Sequence, residues 1–172
     1  SVMFANNEIG TVNPIELLAE YVHKKGALLH ADAVQAVGHI PINVRELGVD
    51  FLSASAHKFN GPKGIGFLYI RKGLKLKRFI HGGQQEGGFR AGTENVAAIV
   101  GMAEALKFNC ENMERNTEHL NNLAQKLCDG IGCFAKDAIF NGFSFCDHLP
   151  GFVSVSFPYH SAEGIMHILD LK

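Results

Sequence analysis

Excess charge of either sign is what this sequence most conspicuously lacks. Its 16 lysines and arginines stand against 17 aspartates and glutamates, for a formal net charge of −1. A chain so balanced offers neither the basic field that draws in nucleic acid nor the basic face that settles on an anionic membrane. Neither is expected as a partner. No apolar run approaches the roughly 20 residues of a membrane span, and no signal-peptide pattern stands at the start. The four cysteines, Cys110, Cys128, Cys133 and Cys146, form no CxxC pair. Their spacing suits neither a zinc site nor a disulfide framework, so no metal site is expected. They read as reduced, mostly buried thiols of a cytoplasmic protein. Internal repeats and low-complexity tracts are absent as well.

What is present is globular. Hydrophobic residues make up 47% of the 172 and charged residues 19%, enough for a packed core in one sizeable domain or two small ones. The chain opens on Ser1-Val2-Met3-Phe4-Ala5, which reads as the middle of a buried strand over residues 2–5, and it closes on Leu171-Lys172 without cap or polar tail. Both ends read as cut from something longer. Pro14 suits a first helical turn, Ile15, Leu18 and Val22 follow at helical spacing, and Gly26 suits the C-cap. A strand over residues 27–32, a short helical stretch before Pro41, a strand over 51–56 and another over 66–71 come next. Alternation of strand and helix implies crossover connections, hence an α/β fold with a mainly parallel sheet buried on both faces.

From Thr93, a candidate N-cap, the pattern turns helical to about Cys128. Val96, Ile99, Val100, Ala103 and Leu106 form one stripe, which Met113, Leu120, Leu123 and Leu127 continue. This is one very long helix or two nearly continuous ones, of the kind that bridges two domains. The boundary is expected at 112/113. A strand over 152–157 and a helix from Ala162 to Leu171 complete the chain.

Four polar clusters carry candidate chemistry. Ser53 to Gly64 runs from an apolar strand straight into Ser55, His57, Lys58 and a Gly61-Pro62 turn. Open α/β sheets bind ligands at the carboxyl ends of their strands, and a lysine there can form a Schiff base where its neutral amine is favoured. The plain alternative is a surface lysine after a strand. Asp32 ends the preceding strand, with Gln35 three residues on; Asp32 is equally readable as a helix cap. Asn6-Asn7-Glu8 is a strand-end cluster that can also be a simple turn. His81 to Thr93 is a glycine-rich loop leading to a helix N-terminus, a place where backbone amides bind phosphate, although a flexible linker has the same composition. With no GKS or GKT following, it is not a Walker loop. Four such clusters in the right order for one pocket are much less expected by chance than any one alone.

These segments, Asn6-Asn7-Glu8-Ile9-Gly10, His30-Ala31-Asp32-Ala33-Val34-Gln35, Ser53 to Gly64 and His81 to Asn95, together resemble the class V, fold-type I enzymes that depend on pyridoxal 5'-phosphate (PLP). Within these, the chain is similar to the cysteine desulfurases of the nitrogen-fixation and iron–sulfur assembly type, and the resemblance extends to Leu149-Pro150-Gly151. It implies a partial PLP-transferase large domain over 1–112 and part of a small α+β domain over 113–172. It implies that Lys58 is the Schiff-base lysine and proton carrier, that Asp32 pairs with the pyridine nitrogen, and that Gln35 bonds the ring hydroxyl oxygen. By the same resemblance Asn7 lies beside the ring, Ser55 and His57 bind the phosphate, and Thr93 reaches the phosphate of the other subunit in a homodimer. The implied substrate is L-cysteine, and the implied further partner is a sulfur-acceptor scaffold protein.

Departures from the family pattern accompany the resemblance. The family loop reads HGGGxERG, where this chain has Gln84 and Gly87 in place of the third glycine and the arginine. The family's phosphate turn and stacking histidine are expected upstream of Ser1. Its nucleophilic-cysteine loop and its substrate-binding arginine are expected after Lys172. Of the four cysteines only Cys146 tempts as a substitute nucleophile. The chain is therefore expected to be an inactive fragment of a desulfurase. The alternatives are a fragment of a selenocysteine lyase or class V aminotransferase, or a truncated scaffold without catalysis.

Overall fold

The computed structural model describes residues 1–142 and 147–172, so Cys146 lies outside the described residues. These residues divide into two compact units. One comprises Ser1–Phe4 with Pro14–Glu111, the other Ala5–Asn13 with Asn112–Lys172.

The first unit is built on a four-stranded sheet: β1 (Val2–Met3), β2 (His30–Asp32), β3 (Phe51–Ser55) and β4 (Gly66–Ile70), in that spatial order. The first three strands are parallel and β4 is antiparallel to β3. The sheet is thus mainly parallel, as the alternating pattern implies. Met3 pairs with Asp32 and Asp32 with Ser53, which puts Asp32, Ser53 and Ser55 on one face. On the other face Ala31, Leu52 and Ala54 are buried. So β2 and β3 alternate in burial and are not apolar on both faces as expected.

Helix α1 (Ile15–Lys24) turns Ile15 and Ala19 into the core. It ends in a Schellman motif: the Gly26 amide donates to the His23 carbonyl (2.9 Å) and the Ala27 amide to that of Val22 (3.1 Å), with Gly26 at φ 69°. This is the arrangement that a glycine just past the last helical residue favours. The helical stretch expected between β2 and Pro41 is instead a run of tight turns over residues 34–39. Its cause is Gly38, whose φ of 81° interrupts any right-handed helix.

Helix α2 (Val96–Glu111) starts three residues later than Thr93. Asn95 is its cap, the Asn95 side-chain oxygen accepting the Ala98 amide at 3.2 Å. Asn112, at φ −109° and ψ 9°, separates α2 from α3 (Met113–Phe134), so the long helical pattern is two helices. In the second unit, β5 (Ile139–Asn141) pairs antiparallel with β6 (Ser154–Ser156). β5 is too short for a period to betray it. Gly10 packs so closely that a Cβ there would lie 2.6 Å from the His148 ring and 2.7 Å from Phe152. Helix α4 (Ala162–Asp170) is capped by Ser161, whose hydroxyl accepts the Gly164 amide at 3.2 Å.

Candidate active site

β2 and β3 end side by side, and most of the candidate residues stand at these strand ends or on the turns just beyond them. Asp32 is the last residue of β2 and is half-buried. Its Oδ1 accepts the Val34 amide at 3.1 Å, and the Ala33 amide bonds the Ser53 carbonyl at 2.9 Å. The chain is thereby turned sharply off the strand, with the Asp32 carboxylate left at its carboxyl end. Gln35 comes next, half-buried, in the same run of turns. Asp32 therefore does some of the capping work of the plain reading, but of a turn and not a helix.

β3 runs directly into a single 3-10 turn, Ala56–Phe59. Ala56 and Phe59 are buried, while His57 and Lys58 face solvent. The Ser55 hydroxyl and His57 Nδ1 share a 2.8 Å hydrogen bond. Two side chains hold the carbonyls at the end of this turn. His39 Nε2 donates to the Lys58 carbonyl at 2.8 Å, and Asn109 Nδ2 of α2 donates to the Phe59 carbonyl at 2.8 Å. Asn109 also donates to the Ala105 carbonyl (2.8 Å) and is 5% exposed. The run of turns after Asp32 and the turn of Lys58 thus touch through His39, and again where Gly38 packs on Phe59.

The glycine-rich loop is held by a residue that motif reading passed over. Arg78 donates from Nε to the Gly88 carbonyl (2.6 Å), from Nη1 to that of Gly82 (3.2 Å) and from Nη2 to Gln84 Oε1 (3.1 Å). Gln85 Oε1 accepts the Gly92 amide at 3.2 Å. Gln84, the departure from the family's third glycine, is thereby a clamp on its own loop. Thr93 is exposed just ahead of α2. Asn7 belongs to the second unit, where the neighbouring Asn6 makes the turn, its Oδ1 accepting the Glu8 (2.8 Å) and Ile9 (2.9 Å) amides.

A buried charge cluster around Asp50, also missed from the sequence, is structural. Asp50, fully buried, accepts the Leu29 amide at 2.7 Å and bonds His23 Nε2 at 2.9 Å through Oδ2, while Oδ1 faces the Arg71 guanidinium. Burial pushes its carboxyl up, but the Leu29 amide, His23 and Arg71 outweigh burial and hold it below the ordinary value. The carboxylate joins α1, β3, the entry to β2 and the exit of β4. Among the described residues no group of three or more His, Cys, Asp or Glu side chains is arranged to hold a metal.

Known proteins agree with this architecture. The aminotransferase class-V family pattern matches residues 1–172, and the chain belongs to that family. It is 48% identical to the cysteine desulfurase IscS of Dictyoglomus turgidum over all of its length and 43% of that protein's. It is 44% identical to the IscS of Methanosarcina thermophila, over 100% of this chain and 42% of the relative. A NifS-like protein from Rickettsia africae superposes with a TM-score of 0.92 at 31% identity, covering 98% of this chain and 46% of that one. Another NifS-like structure gives 0.88 at 42% identity, over 98% and 46%. The chain thus spans less than half the length of these relatives.

Proposed function

We propose that this chain is part of a PLP-dependent cysteine desulfurase. The reaction converts L-cysteine to L-alanine: the C–S bond of the substrate breaks, and the sulfur atom ends on an enzyme thiol as a persulfide. Atoms balance between L-cysteine plus thiol and L-alanine plus persulfide, so no outside oxidant or reductant enters. The observation that carries the reading is the pairing of Asp32 with the Ser53–Lys58 segment at the carboxyl ends of two adjacent parallel strands. That is where open α/β sheets hold their ligands. Relatives named cysteine desulfurase support it from the side of sequence.

The residues at these strand ends fit the cofactor by their chemistry. A carboxylate, a primary amine, an amide, a hydroxyl and an imidazole are what PLP's ring nitrogen, aldehyde, ring oxygen and phosphate call for. When bound, PLP supplies an electron sink at the amine-bearing carbon of the substrate. Asp32 keeps a proton on the pyridine nitrogen, and Gln35 donates to the ring oxygen. Ser55 and His57, which bond each other in this structure, would hold the phosphate. Lys58 would hold the aldehyde through Nζ, and the same amine would be the group to move a proton at the substrate carbon. Thr93 serves the phosphate site of a second copy in a homodimer, and the role of Asn7 rests on the resemblance alone. A cytoplasmic location and transfer of the sulfur to a scaffold protein complete the proposal; no helix among the described residues is long and apolar enough to cross a membrane.

Cys110 lies in α2 and Cys128 and Cys133 in α3, and none is read as the sulfur-accepting thiol. The 172 residues tested by themselves are expected to bind PLP without completing sulfur transfer. The test is an absorbance scan of the purified chain with PLP beside Lys58→Ala. A visible band of covalently held cofactor that the variant lacks supports the site. Identical spectra would remove Lys58 as its anchor and favour a non-catalytic scaffold.

A further inference from the structure

Resting on that reading of Lys58, we infer that His39 and Asn109 are positioning residues that set the Lys58 amine in place by fixing the backbone beneath it. A lysine amine rides on a flexible four-carbon stem, so its location is only as definite as its Cα. Here that Cα belongs to a 3-10 turn one turn long, an element with weak hydrogen-bond geometry of its own. Just past the turn, the Gly61 amide closes back on the Ala56 carbonyl at 2.8 Å. The carbonyls of Lys58 and Phe59 lie at its end, where helical segments leave acceptors without partners. Each receives a side-chain donor from a different element: His39 from the turns after β2, and Asn109 from α2.

The surroundings fit a designed seat. Gly38 sits against the turn so closely that a Cβ there would lie 2.8 Å from the Phe59 Cβ and 3.5 Å from that of Asn109. Gly101 of α2 meets Pro62 in the same way, at 3.0 Å from its ring. Asn109 has a second consequence. It is a buried amide whose two donors are both committed, one to its own helix and one to the turn, so it ties the turn rigidly to α2. His39 ties the turn to the strand end that carries Asp32. The two anchors therefore fix Lys58 relative to the carboxylate with which it is proposed to share a ligand.

The experiment uses the whole chain and four proteins: wild type, His39→Ala, His39→Gln and Asn109→Ala. Amide hydrogen exchange is read over residues 57–61, with β3 as the internal reference. PLP is then added and attachment at Lys58 is measured. The lysine nitrogen condenses with the aldehyde carbon, water leaves, and borohydride delivers hydride to the C=N bond, fixing a secondary amine that mass spectrometry locates. We expect exchange over 57–61 to quicken about tenfold in His39→Ala and Asn109→Ala, the factor matching the net worth of one hydrogen bond. β3 should stay unchanged, and attachment at Lys58 should fall relative to the other lysines. Glutamine at position 39 keeps an N–H donor and should restore both. Wild-type exchange and attachment in His39→Ala overturns the inference even if Asn109→Ala fails to fold. A wild-type chain that takes no PLP at Lys58 overturns the cofactor reading itself, whatever the exchange shows, and the anchors lose their purpose with it.

Discussion

Replacing Asp50 with alanine removes a carboxylate that ties together segments flanking the sheet of the first unit. Its loss is felt unequally by its partners. The Leu29 amide is buried and has the Asp50 Oδ2 as acceptor at 2.7 Å; orphaning such a donor costs about 1–3 kcal/mol. The side chains of His23 and Arg71 are 32% and 43% exposed, so water takes up much of what they lose, and each adds no more than an exposed ion pair, about 0–1 kcal/mol. The sum is about 3 kcal/mol, at the lower edge of what breaking a buried pair costs. Urea unfolding of wild type and Asp50→Ala measures it, as a midpoint shift of about 1 M for a slope near the upper end of the usual range. The pH dependence gives a second check. A carboxyl held below its unfolded value adds stability above that value and loses it as pH falls through the folded one. The difference between the two proteins should therefore be full at pH 7 and narrow only below the ordinary carboxyl range near 3.8. A midpoint shift below about 0.3 M at unchanged slope, or a difference that stays full as pH falls well below the ordinary carboxyl range, would refute the reasoning.

Two further outcomes rest on local surroundings. Gly38→Ala places a Cβ at a φ of 81° and 2.8 Å from Phe59; it should destabilise the chain by more than about 1 kcal/mol and lower PLP attachment at Lys58, and a neutral result in calorimetry and attachment would contradict the close packing described. Burial, with a smaller push from the Asp129 carboxylate, raises the Cys128 thiol above its ordinary value. Since the thiolate is the reacting form, Cys128 should be alkylated by iodoacetamide after the exposed Cys110 and Cys133 at pH 8, which peptide mapping over time resolves.

Much of the fold was legible in the sequence, for identifiable reasons. Gly26 announced the end of α1 because only glycine sits easily in the left-handed conformation that a Schellman motif needs. The strands before Asp32 and Lys58 were visible as apolar runs bounded by polar residues. What misled were positions where tertiary contact overrode local pattern. The stretch after Asp32 looks helical by spacing, yet Gly38 must bend there to admit Phe59. Thr93 is a sound cap by residue type, yet the Asn95 side chain makes the bond, and Thr93 is left exposed ahead of the helix. The burial on both faces expected of a parallel sheet fails because Asp32, Ser53 and Ser55 share a face that is polar at its carboxyl end.

The candidate site divides along the same physical line. Residues proposed to meet a ligand have to reach it, so they stand at strand ends among polar neighbours, and Asp32, Ser55, His57 and Lys58 were readable as a motif for that reason. Residues that hold the backbone in place act through one or two buried polar atoms, and their neighbours in sequence are apolar. Asp50 stands between Val49 and Phe51, and Asn109 interrupts the pattern of α2; neither resembles any catalytic signature. The signal they do carry is a lone polar side chain where burial is expected. Such a side chain is costly unless its bonds are made, and here each makes them to main-chain groups next to the proposed site or to the strand that leads to it. A polar residue inside an apolar run is therefore worth tracing to the main chain it bonds before it is set aside as a surface position, since Asp50 and Asn109, the buried polar residues among those described, lead to the segments that carry Asp32 and Lys58.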